Sequence, residues 1–359
     1  MLAIIGLASW TDVIHINQMK KILAITLPFL IVGCYFNKQE KPLADLNLYF
    51  DSDIKIDSIL VTNITQDREF HFFKYSNAIN VDLNDSINDL YAINFFAGND
   101  HRMVQLWLNG ESVIIKGKVS SKIKIQVDTV IGSYLYYKAL DFRQRYKDIV
   151  TNESDSSLIN NFLITELKKE IDNPFSIEIA QAFTSRNISN TDELKRLFAI
   201  LQTQNDLIRN HLINPYHKIE KILSINKIDF SQYQFYDKSK TLTSINLSDG
   251  KKYLIDFWFI GCAPCIQDHK SIIKNLNSLN DKKVEIIGIS IDNIHEQWKK
   301  FLDEKQYSWK NYREVDEHEN RMRTKMMIDV YPTYLILDSE GVILYRSNTF
   351  SDIERYLNI

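Results

Sequence analysis

The chain has 359 residues, 45% apolar and 25% charged, with a formal net charge of -3 at pH 7. That length predicts two or three domains rather than one. Lys and Arg are scattered among acidic residues, which speaks against a nucleic-acid partner, and 10 Gly and 6 Pro are too few for long low-complexity linkers.

In chain order, the first informative segment opens at Met19-Lys20-Lys21 and runs through Ile22-Leu23-Ala24-Ile25-Thr26-Leu27-Pro28-Phe29-Leu30-Ile31-Val32-Gly33 to Cys34. A basic start, an apolar stretch and a small residue before the cysteine have the layout of a signal peptide. The run is short for a membrane span, is broken by Pro28 and meets polar Asn37-Lys38-Gln39-Glu40-Lys41-Pro42 at once. A leader over 1–33 with its true start at Met19 is therefore expected, followed by a tether over 34–45. The ending Ile31-Val32-Gly33-Cys34 resembles a bacterial lipobox. That resemblance implies cleavage before Cys34 and acylation of its thiol. The mature chain would then be lipid-anchored in the cell envelope, facing the periplasm, on the outer membrane in preference to the inner.

Residues 46–133 favour strands. Ser112–Val119 and Ile123–Val127 are β-branched and partly alternating, and Asn109-Gly110 is a turn signal. Phe70, Phe72, Phe73 and Tyr75 read as a further strand whose aromatics fill a sandwich core. A small antiparallel β accessory domain is predicted.

Residues 134–228 change to helical spacing and predict a helical connector. Tyr136, Leu140 and Arg143 open one row, and Leu158, Phe162, Leu163, Leu167 and Ile171 continue on one face. Asn173-Pro174 and Asn214-Pro215 are breaks. Thr191-Asp192-Glu193 begins a helix with Leu194, Leu197, Phe198 and Leu201 inward.

Residues 229–359 alternate β and α. Asp249-Gly250 turns into an apolar strand over 253–260, followed by a helix carrying Ile266, Ile272, Ile273, Leu276 and Leu279. Val284–Ile291 reads as a buried parallel strand. Asn293 with Glu296 predicts a capped helix with Ile294, Trp298, Phe301 and Leu302 inward. A hairpin is expected across Asp338–Gly341, then a helix from Ser351 with Glu354 as its capping partner.

Cys262-Ala263-Pro264-Cys265 lies where the apolar strand passes into the helix. A thiol at a helix N-terminus faces unpaired backbone N–H groups and the positive end of the dipole, and both favour thiolate. The same spacing also fits half a zinc site. Zinc needs about four ligands, yet the chain has no second such pair and no His at ligand spacing, so no metal is expected.

With those elements in place, 229–359 resembles a thioredoxin fold, and more narrowly the membrane-anchored thiol–disulfide oxidoreductases of the TlpA/ResA type. Four features carry this: Asp256-Phe257-Trp258 before the first cysteine, the cysteine pair itself, the strand–helix stretch Val284–Leu302, and Val330-Tyr331-Pro332-Thr333 before a strand. The region before it resembles, through Gly132-Ser133 and Asn173-Pro174-Phe175-Ser176, accessory regions of unknown function in Bacteroidetes-type lipoproteins.

The resemblance implies a Cys262–Cys265 redox disulfide, with Cys262 attacking and Cys265 resolving, and no cofactor. A carboxyl buried at Asp256 is suited to shuttle the Cys265 proton. Pro332, cis in the family, would present the Tyr331 backbone to a substrate strand and crowd metals away. Tyr331, Trp258, Gly261, Ala263 and Pro264 would then surround the substrate. Gly261 departs from the family, which has Trp there, and opens the surface beside Cys262. The implied partners are disulfide-containing exported proteins and an upstream membrane thiol-reducing donor. Ala263-Pro264 lacks a His that would stabilise the thiolate strongly, so a moderately reducing couple is expected. A disulfide isomerase or oxidase stays open at this point, as does a client-binding lipoprotein whose redox domain is secondary.

Overall fold

The computed structural model describes residues 44–65, 67–122, 124–153, 155–315 and 321–359. The expected leader, Met19 and Cys34 lie outside the described residues.

β1 (Ala44–Ser52) turns Leu46, Leu48 and Phe50 inward in strict alternation, the pattern of a half-buried strand. It takes up the last two positions expected in the tether. β2 (Ser58–Asn63), β3 (Phe70–Lys74), β4 (Ala78–Leu83), β5 (Ile87–Ala97), β6 (Asp100–Gly110), β7 (Ser112–Ser120) and β8 (Lys124–Ile131) follow. They form two four-stranded sheets, β4-β1-β7-β8 and β3-β2-β5-β6. Leu46, Leu48 and Val113 from the first share a core with Ile59, Val61 and Phe95 from the second. Neighbours pair antiparallel except β1 and β7, which run parallel.

The Asn109-Gly110 turn is where expected. A Cβ on Gly110 would lie 2.4 Å from the Gly132 carbonyl oxygen, and its φ of +129° suits glycine. The aromatic strand differs from expectation. Phe70 and Phe72 are 58% and 66% exposed, because β3 is an edge strand with these two side chains on its outer face. Phe73 and Tyr75 do pack on the core.

α1 (Tyr134–Asn152), α2 (Ser156–Lys169), α3 (Ser176–Asn187), α4 (Thr191–Leu201), α5 (Asp206–Arg209) and α6 (Tyr216–Ser224) build the connector. One buried row sits one position from that expected. α1 buries Leu135, Ala139, Phe142 and Tyr146 and exposes Leu140; α2 buries Leu163 and Leu167 as expected, with Phe162 and Ile171 packed against the same core, and departs only in exposing Leu158. Apolar residues at adjacent positions offer two rows of similar strength, and packing selects one. The breaks are as read: the Asn173 side chain accepts the Phe175 N–H, and that of Asn214 accepts the Tyr216 N–H. The connector core takes in Leu90 and Trp107 from the β domain, and Met327 and Val330 from the last third pack against it. Trp107 donates its indole N–H to Glu178, which also receives Arg143.

The last third contains β9 (Phe235–Tyr236), β10 (Leu242–Thr243), β11 (Lys252–Trp258), α7 (Ala263–Lys274), α8 (Leu276–Asp281), β12 (Val284–Ser290), α9 (His295–Lys305), β13 (Lys310–Glu314), α10 (Met322–Lys325), β14 (Thr333–Leu337), β15 (Ile343–Ser347) and α11 (Phe350–Leu357). The sheet order is β10-β9-β13-β12-β11-β14-β15, with β11, β12 and β13 parallel and β14 antiparallel to β11. β11 is central and buried on both faces. Tyr253, Ile255 and Phe257 enter one core, while Leu254 and Trp258 enter clusters that include α7. By alternation Asp256 shares the α7 face with Leu254 and Trp258.

Two caps differ from expectation. α9 begins after Ile294, which is 54% exposed, and has no side-chain cap. The Asn293 carbonyl instead accepts a hydrogen bond from Arg313. α11 is capped by Thr349, whose hydroxyl accepts the Asp352 N–H, two residues before the expected start. Ile273 on α7 is 48% exposed, at the edge of the row Cys265, His269 and Ile272 that the helix buries. Among the described residues no helix is long and apolar enough to cross a membrane.

Candidate active site

β11 ends at Trp258, and three residues carry the chain to Cys262, the N-cap of α7. Cys262 and Cys265 are joined in a disulfide with Cα atoms 5.3 Å apart, within the usual range. The Cys262 Sγ also accepts the Cys265 backbone N–H at 3.2 Å, so one of the orphan donors of the helix end points at this sulfur. Pro264 lies in the first turn, where a missing N–H costs nothing. Cys265 is wholly buried and Cys262 is 4% exposed, ringed by exposed Gly261, Ala263 and Pro264. An incoming sulfur therefore reaches Cys262 first.

The approach loop is held from the side by Asp292, just beyond β12. Its carboxylate accepts the Ile260 N–H at 3.2 and 3.3 Å and the Ser290 hydroxyl at 2.7 Å. Burial pushes the Asp292 carboxyl above its ordinary range, against the opposing pull of these hydrogen bonds and of Arg313.

The Tyr331–Pro332 peptide bond is cis, as the family resemblance implied, and Pro332 is buried. The Tyr331 ring meets Phe259 edge-on at 5.6 Å and packs against the cluster that contains both cysteines. The absent Trp at position 261 has a local counterpart. A Cβ on Gly261 would come within 3.2 Å of the Phe259 ring, so Phe259 lies over the position and faces Tyr331. Trp258 corrects a sequence expectation. It is fully buried among Trp298, Cys262 and Cys265 and offers no surface to a substrate; its part is to back the disulfide.

Asp256 lies opposite Gly288 on β12 and Tyr334 on β14, with no accessible surface. Its Oδ2 is 2.8 Å from His269 Nε2, and His269 Nδ1 is 2.9 Å from the Tyr307 hydroxyl. His269 is itself 1% exposed, boxed by the rings of Trp258 and Trp309 at 5.1 and 5.7 Å. The linear sequence alone does not pair His269 with Asp256. The available signal was its spacing of four from Cys265, which puts both on one face of α7. Among the described residues no group of three or more His, Cys, Asp or Glu could hold a metal ion.

A strand–dithiol–helix unit, a central mixed sheet and a cis-proline before β14 now stand together, and a protein-family model described as thioredoxin-like matches residues 250–343. This region has the thioredoxin-like fold. The domain is 30% identical over 104 residues to the thiol:disulfide interchange protein HelX of Rhodobacter capsulatus, covering 29% of this chain and 56% of that protein. The chain thus spans little more than half the length of this curated relative. Among solved structures, the thioredoxin domain of a thiol-disulfide oxidoreductase from Bacteroides vulgatus is 27% identical, with 35% of this chain and 92% of that one covered and a TM-score of 0.31. A thiol:disulfide interchange protein from Bacteroides sp. gives 27% identity, 35% and 86% coverage and a TM-score of 0.31. The β domain and connector lie outside the family match.

Proposed function

We propose that the chain is an envelope-facing thiol-disulfide oxidoreductase of the TlpA/ResA type, anchored through a lipid on Cys34, that reduces disulfides in exported proteins. The observation that carries the reading is the asymmetry of the dithiol: Cys262 caps the helix and borders solvent, while Cys265 is enclosed one turn behind it. The likeness of the thioredoxin-like domain to a thiol:disulfide interchange protein supports it.

With the pair reduced, the Cys262 thiolate attacks one sulfur of a client disulfide, and the other client sulfur leaves as a thiolate. The Cys265 thiolate then attacks Cys262 Sγ, re-forming the Cys262–Cys265 bond and expelling the second client sulfur. The client gains two electrons and takes two protons from solvent. The dithiol loses both, and an upstream membrane thiol-reducing donor restores it. Tyr331, before the cis-proline, offers its backbone to the client strand, and exposed Gly261, Ala263 and Pro264 form the contact rim. Asp256 takes the proton of Cys265.

The test is trapping in cells with the full chain. Cys265→Ser should accumulate reducible mixed disulfides that disappear when Cys262 is also replaced by Ser. Absence of such adducts while the parent protein is expressed would refute the reading. The anchor is tested separately, since Cys34→Ser should move the protein from the membrane fraction to the soluble one.

A further inference from the structure

Asp256 and His269 face each other with essentially no access to water. A neutral imidazole carries one N–H, so its two partners fix which nitrogen holds it. The Tyr307 phenol is pushed up to about 12 by burial and by the Asp256 charge, and so remains an O–H donor at neutral pH. Donation from Tyr307 to Nδ1 leaves the hydrogen on Nε2, where it is donated to Asp256 Oδ2. This tautomer is assigned from the network.

The second carboxylate oxygen, Asp256 Oδ1, is buried and has no hydrogen-bond partner. A buried, unpaired carboxylate oxygen is costly, and in a site that must move a proton it is the atom prepared to accept one. Cys265 lies one turn before His269 on the helix face that packs over Asp256.

We propose that His269 is a positioning residue for the resolving step, holding Asp256 by Oδ2 so that Oδ1 receives the proton leaving the Cys265 thiol. The inference rests on the oxidoreductase reading above and deepens it. The proton passes from Cys265 Sγ to Oδ1, the Cys265 thiolate displaces the client sulfur from Cys262, and Asp256 releases the proton to solvent once the disulfide is closed. The other ionisable groups facing Asp256 are Tyr334 from β14, Asp268 from α7 and Tyr307 from the segment before β13. Asp268 accepts hydrogen bonds from the Tyr334 hydroxyl and the Phe350 N–H. Burial raises Asp268 and Tyr334, which leaves the Tyr334 phenol uncharged.

The reduced full-length protein with 5,5′-dithiobis(2-nitrobenzoate) as the probe separates the two steps. The first thionitrobenzoate reports attack by Cys262 and the second reports resolution by Cys265. In His269→Leu the second release should slow by about tenfold or more with an altered pH profile, while the first stays within about twofold, because a general base acts only where its proton moves. His269→Gln, which keeps a donor for Oδ2, should restore most of the rate. An unchanged second phase in the Leu variant would overturn the proposal, as would a Gln variant as slow as Leu. If the Leu variant does not fold, Tyr307→Phe, which removes only the hydroxyl on Nδ1, must alter the pH profile of the second phase, and no alteration overturns the proposal. Failure of the unsubstituted protein to give any second release would refute the oxidoreductase reading itself.

Discussion

The hydroxyl of Ser189, between α3 and α4, lies 3.4 Å from that of Thr333, the residue after the cis-proline, and both are buried. Thr333 spends its hydrogen on the Val330 carbonyl at 2.6 Å, so Ser189 is the donor to Thr333. Lys218 of α6 pairs with Asp329 at 2.6 Å, and Val330 packs against the connector core. The connector therefore braces the turn that carries Tyr331 and Pro332. Thr333→Val would leave the Ser189 hydroxyl and the Val330 carbonyl without these partners, and the expected loss is about 1–3 kcal/mol. Urea unfolding of the full chain measures it, and a midpoint equal to the parent's at unchanged slope would contradict the brace.

The burial of the two sulfurs sets an order of reactivity. In the reduced protein, iodoacetamide should modify Cys262 well before Cys265, by about tenfold or more, since reactivity follows thiolate character and access. Peptide mass mapping over a time course reads the order directly. Equal labelling, or Cys265 first, would mean that attack and resolution are assigned to the wrong residues.

Ala263 and Pro264 bring no side-chain donor or positive charge to the Cys262 sulfur, whose hydrogen bond from within the pair is the Cys265 N–H. Glutathione equilibration should place the couple nearer the reducing end, about -270 mV, than the oxidising end, about -120 mV. A value at the oxidising end would exchange the reductase reading for an oxidase.

The cysteine pair and the βαβ order were legible in the sequence because each is local, a spacing and a run of one period, whereas the cis form of Pro332 came only with the family resemblance. Asp256 was legible as a polar residue inside an apolar strand. Its partner was not, since His269 lies 13 residues away on another element and Tyr307 a further 38 beyond it. Pairing across elements is decided by packing, which no window of sequence contains. The shifted row of α1 fails for a related reason, as adjacent apolar residues leave the phase of a helix to its neighbours. Phe70 and Phe72 show the converse case. Their residue type favours burial, and only the outer face they take on β3, opposite to that of Phe73, leaves them in water.

Asp292 holds the approach to Cys262 through the Ile260 N–H, and its raised carboxyl gives that contact a pH signature. In the unfolded chain the group titrates near about pH 4, whereas burial delays its ionisation in the native state. As pH rises through that interval the unfolded chain has already released its proton while the native one retains it. Stability therefore falls across the window from the unfolded value up to the raised native one, and levels off above. Asn in place of Asp keeps an oxygen for the Ile260 N–H and removes the charge. The difference in unfolding free energy, Asp292→Asn minus parent, should then grow in the variant's favour from about pH 4 upward and become constant once the native carboxyl has ionised. Urea titrations at a series of pH values measure this difference. If it were independent of pH, the native Asp292 carboxyl would titrate as in the unfolded chain and burial would not raise it.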